Sequence, residues 1–520
     1  MKRQSKRMNF HSINPFSPTL YYMQEIGTVI STLEGPSTRK FSFVISKDAV
    51  VRRGQFVQLK NHDGQLIGRV SDVLKTNKYF MRPDSVKEYQ SSGRSMDDLF
   101  PVDHWEFLVA EVSCLGVHTG NGFTDSSFPP SPGTMVVQPD SQILSDLFGL
   151  DQNGLHVGSI PHHDVEVRLS PTRLLQKHLA ILAISGAGKS FLTSVILEEL
   201  MERRPEQGQL AVVVIDTHGE YASLADDPKY AGRVSVFPIS DVQIGVGNLR
   251  SYQFSEFMPN LTYPQQRELV KVMDTLRKKN HSLSDVIDMV ESNEKIKPAT
   301  KEPLLSNLVE LRMTGLFGVA DYPSLEELVK QGSLSIIDLS ETTNLHTKQM
   351  LVAYMARKLF NARKDGIIPP FLLVLEEAHQ FIPETTKKEH AISKGIMQTI
   401  AREGRKFNAS LCLISQRPIQ LSTTVLSQCN THIILRITNP YDLDHIGKSS
   451  EGLNKSVIRQ ISSLKVGTGI IVGEAVNFPL FVKVRARNSK ASEKGLPLEK
   501  AAAEYYTRMR QKRKDAKEFL

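Results

Sequence analysis

In the first third of the chain, apolar and polar positions alternate over short runs, the period-two pattern of half-buried strands. These runs predict strands over 41–45 (Phe-Ser-Phe-Val-Ile), 55–59, 66–70 and 107–112, with Asp63-Gly64 as a tight hairpin turn. Several short strands at this spacing predict a small β-barrel within 21–150. The proline-rich run at 128–133 (Phe-Pro-Pro-Ser-Pro-Gly) predicts a rigid connector. From Leu179 the pattern changes to continuous apolar runs alternating with helical stretches, which predicts a parallel sheet covered on both faces. The expected strands are 179–184, 210–215, 334–339, 371–375, 410–415, 432–437 and 469–472. Between about 252 and 330 the pattern is helical and polar, a helical insertion within an α/β core spanning 151–487. Basic tails are expected at 1–20 and 488–520.

At 520 residues the chain exceeds what one hydrophobic core supports, so more than one domain is expected. No run of about 18 apolar residues exists to form a membrane span. Lys2, Arg3, Lys6 and Arg7 have no apolar stretch behind them, so the start does not read as a secretory signal. Cys114, Cys412 and Cys429 are far apart and lack metal-ligand spacing, which fits a reducing, cytoplasmic setting. The net charge of +8 only mildly favours a polyanionic partner.

The chemistry is concentrated at predicted strand ends. Ala183-Ile-Ser-Gly186-Ala-Gly188-Lys189-Ser190 follows an apolar strand and precedes an amphipathic helix, the context a P-loop requires. Glycines let backbone N–H groups converge on a phosphate, and the helix N-terminus adds a positive dipole end. Ser185, Gly186, Ala187, Gly188, Lys189, Ser190 and Phe191 are the expected ATP cradle, with Lys189 on the β- and γ-phosphates and Ser190 on Mg2+. Ala183 stands where the first glycine usually does. The run at 371–375 ends in Glu376-Glu377, and paired acids after five apolar residues call for a balancing cation or substrate. Glu376 is expected at the Mg2+ and Glu377 at the attacking water. Two solvated glutamates opening a helix are the plainer alternative. Gln416, ending the next strand, is the expected γ-phosphate sensor, and Asp216 a second polar strand end close to the nucleotide or metal.

Other basic and polar residues leave choices open. Arg402 and Arg405 are either fingers acting in a neighbouring subunit's site, with Arg402 preferred, or a solvated helix end. Lys387, Lys388 and Lys394 either face duplex DNA or form a solvated charge run. His162, His163 and His178 read as ordinary surface or core histidines, and Trp105 as barrel packing.

Taken with Asp216-Thr-His-Gly-Glu-Tyr221, Ala401-Arg-Glu-Gly-Arg-Lys-Phe407, Ser415-Gln-Arg-Pro418 and Ile437-Thr-Asn-Pro-Tyr-Asp442, these blocks resemble the HerA family of the FtsK–HerA ATPase superfamily. The resemblance covers about 26–484. It implies a RecA-like P-loop core with an N-terminal HAS-barrel, a helical insertion and a C-terminal brace. It implies a homohexamer that encircles double-stranded DNA, translocates with ATP and Mg2+, and works with a NurA-like nuclease in DNA end resection. It also implies that Lys177 reaches an adjacent site and that Arg402 acts in trans. A membrane-tethered pump of the FtsK or conjugative kind is disfavoured by the missing span. A nucleotide-dependent scaffold for a nuclease or phage-defence complex remains the alternative.

Overall fold

Two units divide the chain, Met1–Leu144 and Ser145–Leu520. The computed structural model describes residues 24–31, 35–77, 87, 91, 106–120, 122–276, 281–384, 391–450, 452–490 and 498–518. The basic start of the chain and Trp105 lie outside them.

The first unit contains β1 (Glu25–Ile30), β2 (Lys40–Ile45), β3 (Phe56–Lys60), β4 (Gln65–Asn77), β5 (Glu106–His118), β6 (Phe123–Thr124) and β7 (Met135–Val137). The antiparallel order β2-β1-β7-β3-β4-β5 closes where β2 pairs with β5, giving a six-stranded barrel with β6 added beside β5. Alternation puts Phe41, Phe43 and Ile45 inside, against Leu59, Leu66, Val112 and Val136. At the expected hairpin, Asn61 N–H donates to the Gly64 carbonyl at 2.9 Å. A side chain at Gly64, whose φ is +147°, would strike the His118 carbonyl. β4 outruns its expected stretch because Asp72 to Asn77 pair with Glu106 to Glu111, and β5 outruns its own because Ser113 to His118 pair back onto Gln65 to Arg69. The proline-rich run does not lead away from the barrel. Gly133 N–H donates to Val29 O at 2.8 Å and Val29 N–H to Thr134 O at 2.9 Å, so this turn delivers the closing strand β7.

In the second unit the strands are β8 (Leu155–Ser159), β9 (Glu166–Leu169), β10 (Leu179–Leu182), β11 (Ala211–Asp216), β12 (Val234–Pro238), β15 (Leu334–Asp338), β16 (Phe371–Leu375), β17 (Ala409–Ser415), β18 (Thr431–Ile434), β19 (Thr468–Gly473) and β20 (Leu480–Val484). β13 (Ile244–Gly245) and β14 (Phe317–Gly318) pair separately. The main sheet runs β12-β15-β11-β16-β17-β10-β18-β19-β20-β8-β9. It is parallel from β12 to β18 and antiparallel beyond. The expected central strands are all present. β8, β9, β12 and β20 were not expected, being short, interrupted by residues such as His156, Arg168 and Lys483, and placed toward the sheet's two margins.

Helix α1 (Lys189–Glu202) follows β10 and is buried around most of its circumference. Its fully buried Glu198 accepts from Arg485 Nη1 (3.0 Å), Asn488 N–H (3.0 Å), Ser489 N–H (2.9 Å) and Ser489 Oγ (2.6 Å), which fastens the chain beyond β20 onto this helix. Helices α2 (Ser251–Phe257), α3 (Tyr263–Leu276), α4 (Leu283–Ser292) and α5 (Pro298–Met313) form the helical insertion and bury Phe254, Leu269, Val286 and Leu304 in the core they share with the sheet. Then come α6 (Leu345–Lys364), α7 (Lys394–Phe407) and a long exposed helix, α8 (Leu498–Glu518). No helix among the described residues is long and apolar enough to cross a membrane.

Where α7 meets the sheet, buried His178 bridges two elements. Its Nε2 lies 3.0 Å from Ala401 O, and Leu411 N–H donates to its Nδ1 at 3.0 Å. Burial pushes its pKa down to about 4, consistent with a neutral ring donating through Nε2. Gly404 lies at this junction: an added Cβ would collide with Ala409 O and come within 3.3 Å of the His178 ring. Gly404→Ala is therefore expected to cost about 1–3 kcal/mol, read as a lower midpoint in urea unfolding. An unchanged midpoint would show that this junction is not tightly packed.

Candidate nucleotide site

β11, β16, β17 and β10 lie side by side and parallel, so the segments leaving their C-terminal ends converge. Ligand sites of open α/β sheets form at such strand ends. The segment after β10 turns at Gly186 (φ +73°) and Gly188 (φ +101°), a backbone region that costs side-chain-bearing residues dearly. Ala183 is fully buried, donates its N–H to Ser415 O at 3.2 Å and has no left-handed φ, so a methyl group is accommodated there. The resulting cleft, about 500 Å³, is lined by Ser185, Gly186, Gly188, Lys189, Ser190, Phe191, His218, Glu220, Glu377 and Gln416. Ala187 is buried beneath it.

The sequence-predicted acids meet the P-loop lysine here. Glu376 and Glu377 are buried, which removes the alternative of two solvated glutamates. Lys189 Nζ lies 3.2 Å from Glu376 Oε1 and 3.1 Å from Glu377 Oε1. Burial works against the ammonium, but Glu376, Glu377 and Glu220 outweigh it and hold the Lys189 pKa above its ordinary value. Burial would likewise raise Glu376, yet the hydrogen bond from His218 and the Lys189 charge hold it far below the usual carboxylate range. Glu377 turns in the left-handed region (φ +49°). Its Oε2 lies 3.3 Å from His379 Nδ1 but, although buried, has no hydrogen-bond partner among the described residues.

Asp216 does not line the cleft. Its carboxylate accepts the N–H groups of His218 (3.2 Å), Gly219 (2.7 Å), Glu220 (3.1 Å) and Tyr221 (2.9 Å), and so shapes the loop after β11. Burial and the charge of Glu376 push its pKa up to about 7. That loop presents His218 and Glu220 to the cleft, two residues the sequence reading passed over in favour of Asp216. The signal was the polar run itself; which of its members face outward depends on the cage around Asp216. From α6, buried Lys348 faces the same acids, its pKa lowered by burial against the pull of Glu376 and Asp338.

Gln416 reaches the cleft from the end of β17. The segments after β16 and β17 are joined by Glu384 N–H to Gln420 O (2.8 Å), Ser422 N–H to Ile382 O (2.9 Å) and the Glu384 carboxylate to Thr423 N–H (2.7 Å) and Oγ1 (2.6 Å).

The remaining basic candidates lie elsewhere. Arg402 and Arg405 are exposed on α7, whose C-terminal end meets β17 at Ala409, roughly 20 Å along that strand from Gln416 at strand rise. Lys177 precedes β10, at the same N-terminal edge of the sheet, and pairs with Glu474 at 2.7 Å. None of the three lines the cleft of its own chain. Lys394 Nζ donates to Glu384 O at 2.9 Å. Lys387 and Lys388 lie outside the described residues.

A hard divalent cation such as Mg2+ favours oxygen donors; the cleft offers the Ser190 hydroxyl with the carboxylates of Glu220 and Glu377, and buried Glu376 lies directly beside Glu377, close enough to share a metal ion with it and His218. Those acids outnumber the ammonium beside them, and the orphaned Glu377 oxygen lacks a donor, so the residues present fit a cation.

Comparison with known proteins agrees with this geometry. Residues 155–359 match the family model described as the central domain of helicase HerA. The chain is 29% identical over 517 residues to the DNA double-strand break repair helicase HerA of Pyrococcus furiosus, covering 86% of this chain and 90% of that protein. It is 28% identical over 487 residues to the protein of the same name from Saccharolobus solfataricus, covering 88% and 92%. Among solved structures, VirB4 of Thermoanaerobacter pseudethanolicus shares the fold with a TM-score of 0.52 at 16% identity, covering 65% of this chain and 98% of that one.

Glu377→Gln is expected to leave ATP binding within a few-fold of wild type while turnover falls about 10²–10⁴-fold, the range for loss of a positioned general base. Wild-type turnover in this variant would remove Glu377 from the chemistry.

Proposed function

We propose that the chain, whose residues 155–359 match the central-domain model of helicase HerA, is a member of that family and an ATP-driven translocase of double-stranded DNA. We place it in the cytoplasm as a homohexameric ring that works with a NurA-like nuclease in end resection at double-strand breaks. The observation that carries this reading is the Lys189 ammonium held between Glu376 and Glu377 at a glycine-turn cleft that Gln416 also enters.

The arrangement divides the labour of ATP hydrolysis among the chain's own groups. Inward N–H groups of the 185–190 turn receive the phosphates. Lys189 can exchange its carboxylate partners for phosphate oxygens, leaving Glu377 free to take a proton from water. Gln416 stands beside that position as hydrogen-bond donor and acceptor. Ser190 and the neighbouring carboxylates would hold Mg2+, which when bound offsets phosphate charge.

The positions of Lys177, Arg402 and Arg405 favour roles across a subunit boundary. They sit at the N-terminal edge of the sheet, while the P-loop sits at the C-terminal edge. A head-to-tail ring brings opposite edges of successive subunits together. Arginine supplied this way would offset transition-state charge in the neighbour's site.

ATPase activity should rise with duplex DNA, and DNA binding should weaken steeply with salt. DNA-independent turnover by a hexamer that binds no duplex would overturn the translocase reading. Resection with the nuclease that survives in Glu377→Gln would instead favour a nucleotide-dependent scaffold. For the subunit boundary, Arg402→Ala and Lys189→Ala proteins should each be inactive alone and regain part of the ATPase activity when mixed. A mixture as inactive as its components would exclude Arg402 from a neighbour's site.

A further inference from the structure

Glu377 Oε1 faces Lys189 at 3.1 Å, while Oε2 is buried and takes no hydrogen bond among the described residues. An ionised carboxylate only accepts, so what Oε2 lacks is a donor. In the reading above Lys189 turns to the phosphates. Something other than the lysine must then hold the carboxylate toward the attacking water.

His379 stands beside that oxygen. Glu377 turns in the left-handed region and Gln380 N–H donates back to its carbonyl at 2.8 Å, so the turn Ala378–Gln380 brings His379 alongside the acid. Gln349 Nε2 fixes this turn from α6 by donating to Gln380 O at 2.7 Å. His379 Nδ1 lies 3.3 Å from Glu377 Oε2 and 3.1 Å from Ser415 Oγ. Ser415 ends β17 and is fully buried, and its Oγ already accepts Arg417 N–H at 3.1 Å. Between Ser415 and Arg417 is Gln416, which enters the cleft. One ring nitrogen therefore lies between Glu377 and the strand end that carries Gln416. Of the two oxygens it faces, that of Ser415 already has a donor and that of Glu377 has none, so a proton on Nδ1 serves Glu377. Hydrogen bonds of this kind are often long or misaligned before substrate binds and tighten in the complex.

From this we infer that His379 is a positioning residue for hydrolysis: its Nδ1–H supplies the donor that Glu377 Oε2 lacks and orients the carboxylate, while Ser415 holds the ring level with Gln416. His379 does not line the cleft, so it acts through Glu377. The inference rests on the ATPase reading above and adds to that same site the group that aims its acid.

The test uses the full-length protein with duplex DNA and reads kcat separately from binding, the latter with a fluorescent ATP analogue in Mg2+. His379→Ala should lower kcat about 10–10²-fold, the scale of a reacting group misplaced by about an ångström, with analogue affinity close to wild type. Asparagine places an amide nitrogen where Nδ1 stands, whereas glutamine places one nearer Nε2. His379→Asn should therefore recover most of the lost kcat and His379→Gln should not, and this pair decides the matter where His379→Ala does not fold. Ser415→Ala should fall between wild type and His379→Ala, and combining the two should cost little beyond His379→Ala alone, because they act as one unit. Wild-type kcat in His379→Ala, equal kcat in His379→Asn and His379→Gln, an affinity loss as large as the kcat loss, or additive losses in the double variant would overturn the assignment. The ATPase reading survives each of these so long as Glu377→Gln is inactive. Wild-type turnover in Glu377→Gln would overturn both.

Discussion

The site depends on one electrostatic constraint: carboxylates taken out of water at adjacent strand ends must be compensated or protonated. The structure meets this differently for each acid. Asp216 surrounds itself with four backbone N–H groups, and its raised pKa allows it to keep a proton near neutrality. Glu376 combines backbone and hydroxyl donors with the Lys189 ammonium. Glu377 has the same ammonium but leaves one buried oxygen without a hydrogen bond. Of these three, the least satisfied carboxylate is thus the one that opens onto the cleft. Incomplete compensation is kept where a reacting group can use it, as expected of a site that tunes its titratable residues for chemistry. On the proposed reading it also ties phosphate to cation: were Lys189 to turn toward a phosphate, the acids it left behind would favour a divalent ion.

How much of this was legible in the sequence follows from how local each signal is. Strands β10, β11, β15, β16 and β17 were plain because central strands of a parallel sheet are buried on both faces and read as unbroken apolar runs. β8, β9, β12 and β20 carry polar residues and depend on long-range pairing, which no local pattern records. The P-loop and the acid pair were legible because glycine, lysine and carboxylate are needed at fixed spacing from a strand end. The place of Glu220 in the cleft was not, since it depends on the loop after β11 folding around Asp216, and residue type alone cannot say which acid of that run faces inward or outward. The proline-rich run read only as a connector because composition indicates stiffness but not the hydrogen bonds to Val29 that join it to the barrel.

The two edges of the sheet also carry opposite chemical needs. At the C-terminal edge, glycine turns and acids await phosphate and a cation. At the N-terminal edge, Lys177 and the end of α7 that bears Arg402 and Arg405 offer positive charge to solvent, with Lys177 tied to Glu474. Because the parallel strands point one way, neither edge can complete the other within one chain. Complementary patches at opposite ends of a subunit make heterologous contacts, which close into rings when the rotation permits. His178 and Gly404 bear on this geometry despite being remote from the nucleotide, since they fix the height of α7 against β17 and hence the position of its arginines.

Within a subunit, the pairing of the segments after β16 and β17 gives the cleft its mechanical character. Glu384 joins the chain beyond the acid pair to Gln420 and Thr423, beyond Gln416. Gln349 of α6 extends the tie, with Nε2 donating to Gln380 O at 2.7 Å and Oε1 accepting Ile392 N–H at 3.1 Å. Hydrogen bonds on both flanks couple the segments that carry Glu377 and Gln416, at solvent-exposed Glu384 and Thr423 and at the part-buried Gln349 tie. A displacement of the acid turn would therefore be shared by Gln416 and the start of α7. That helix carries Arg402 and Arg405 at its other end. A rigid body reaching from one subunit's phosphate to the edge that would face its neighbour's phosphate is a direct physical route by which successive sites in a ring could fire in order.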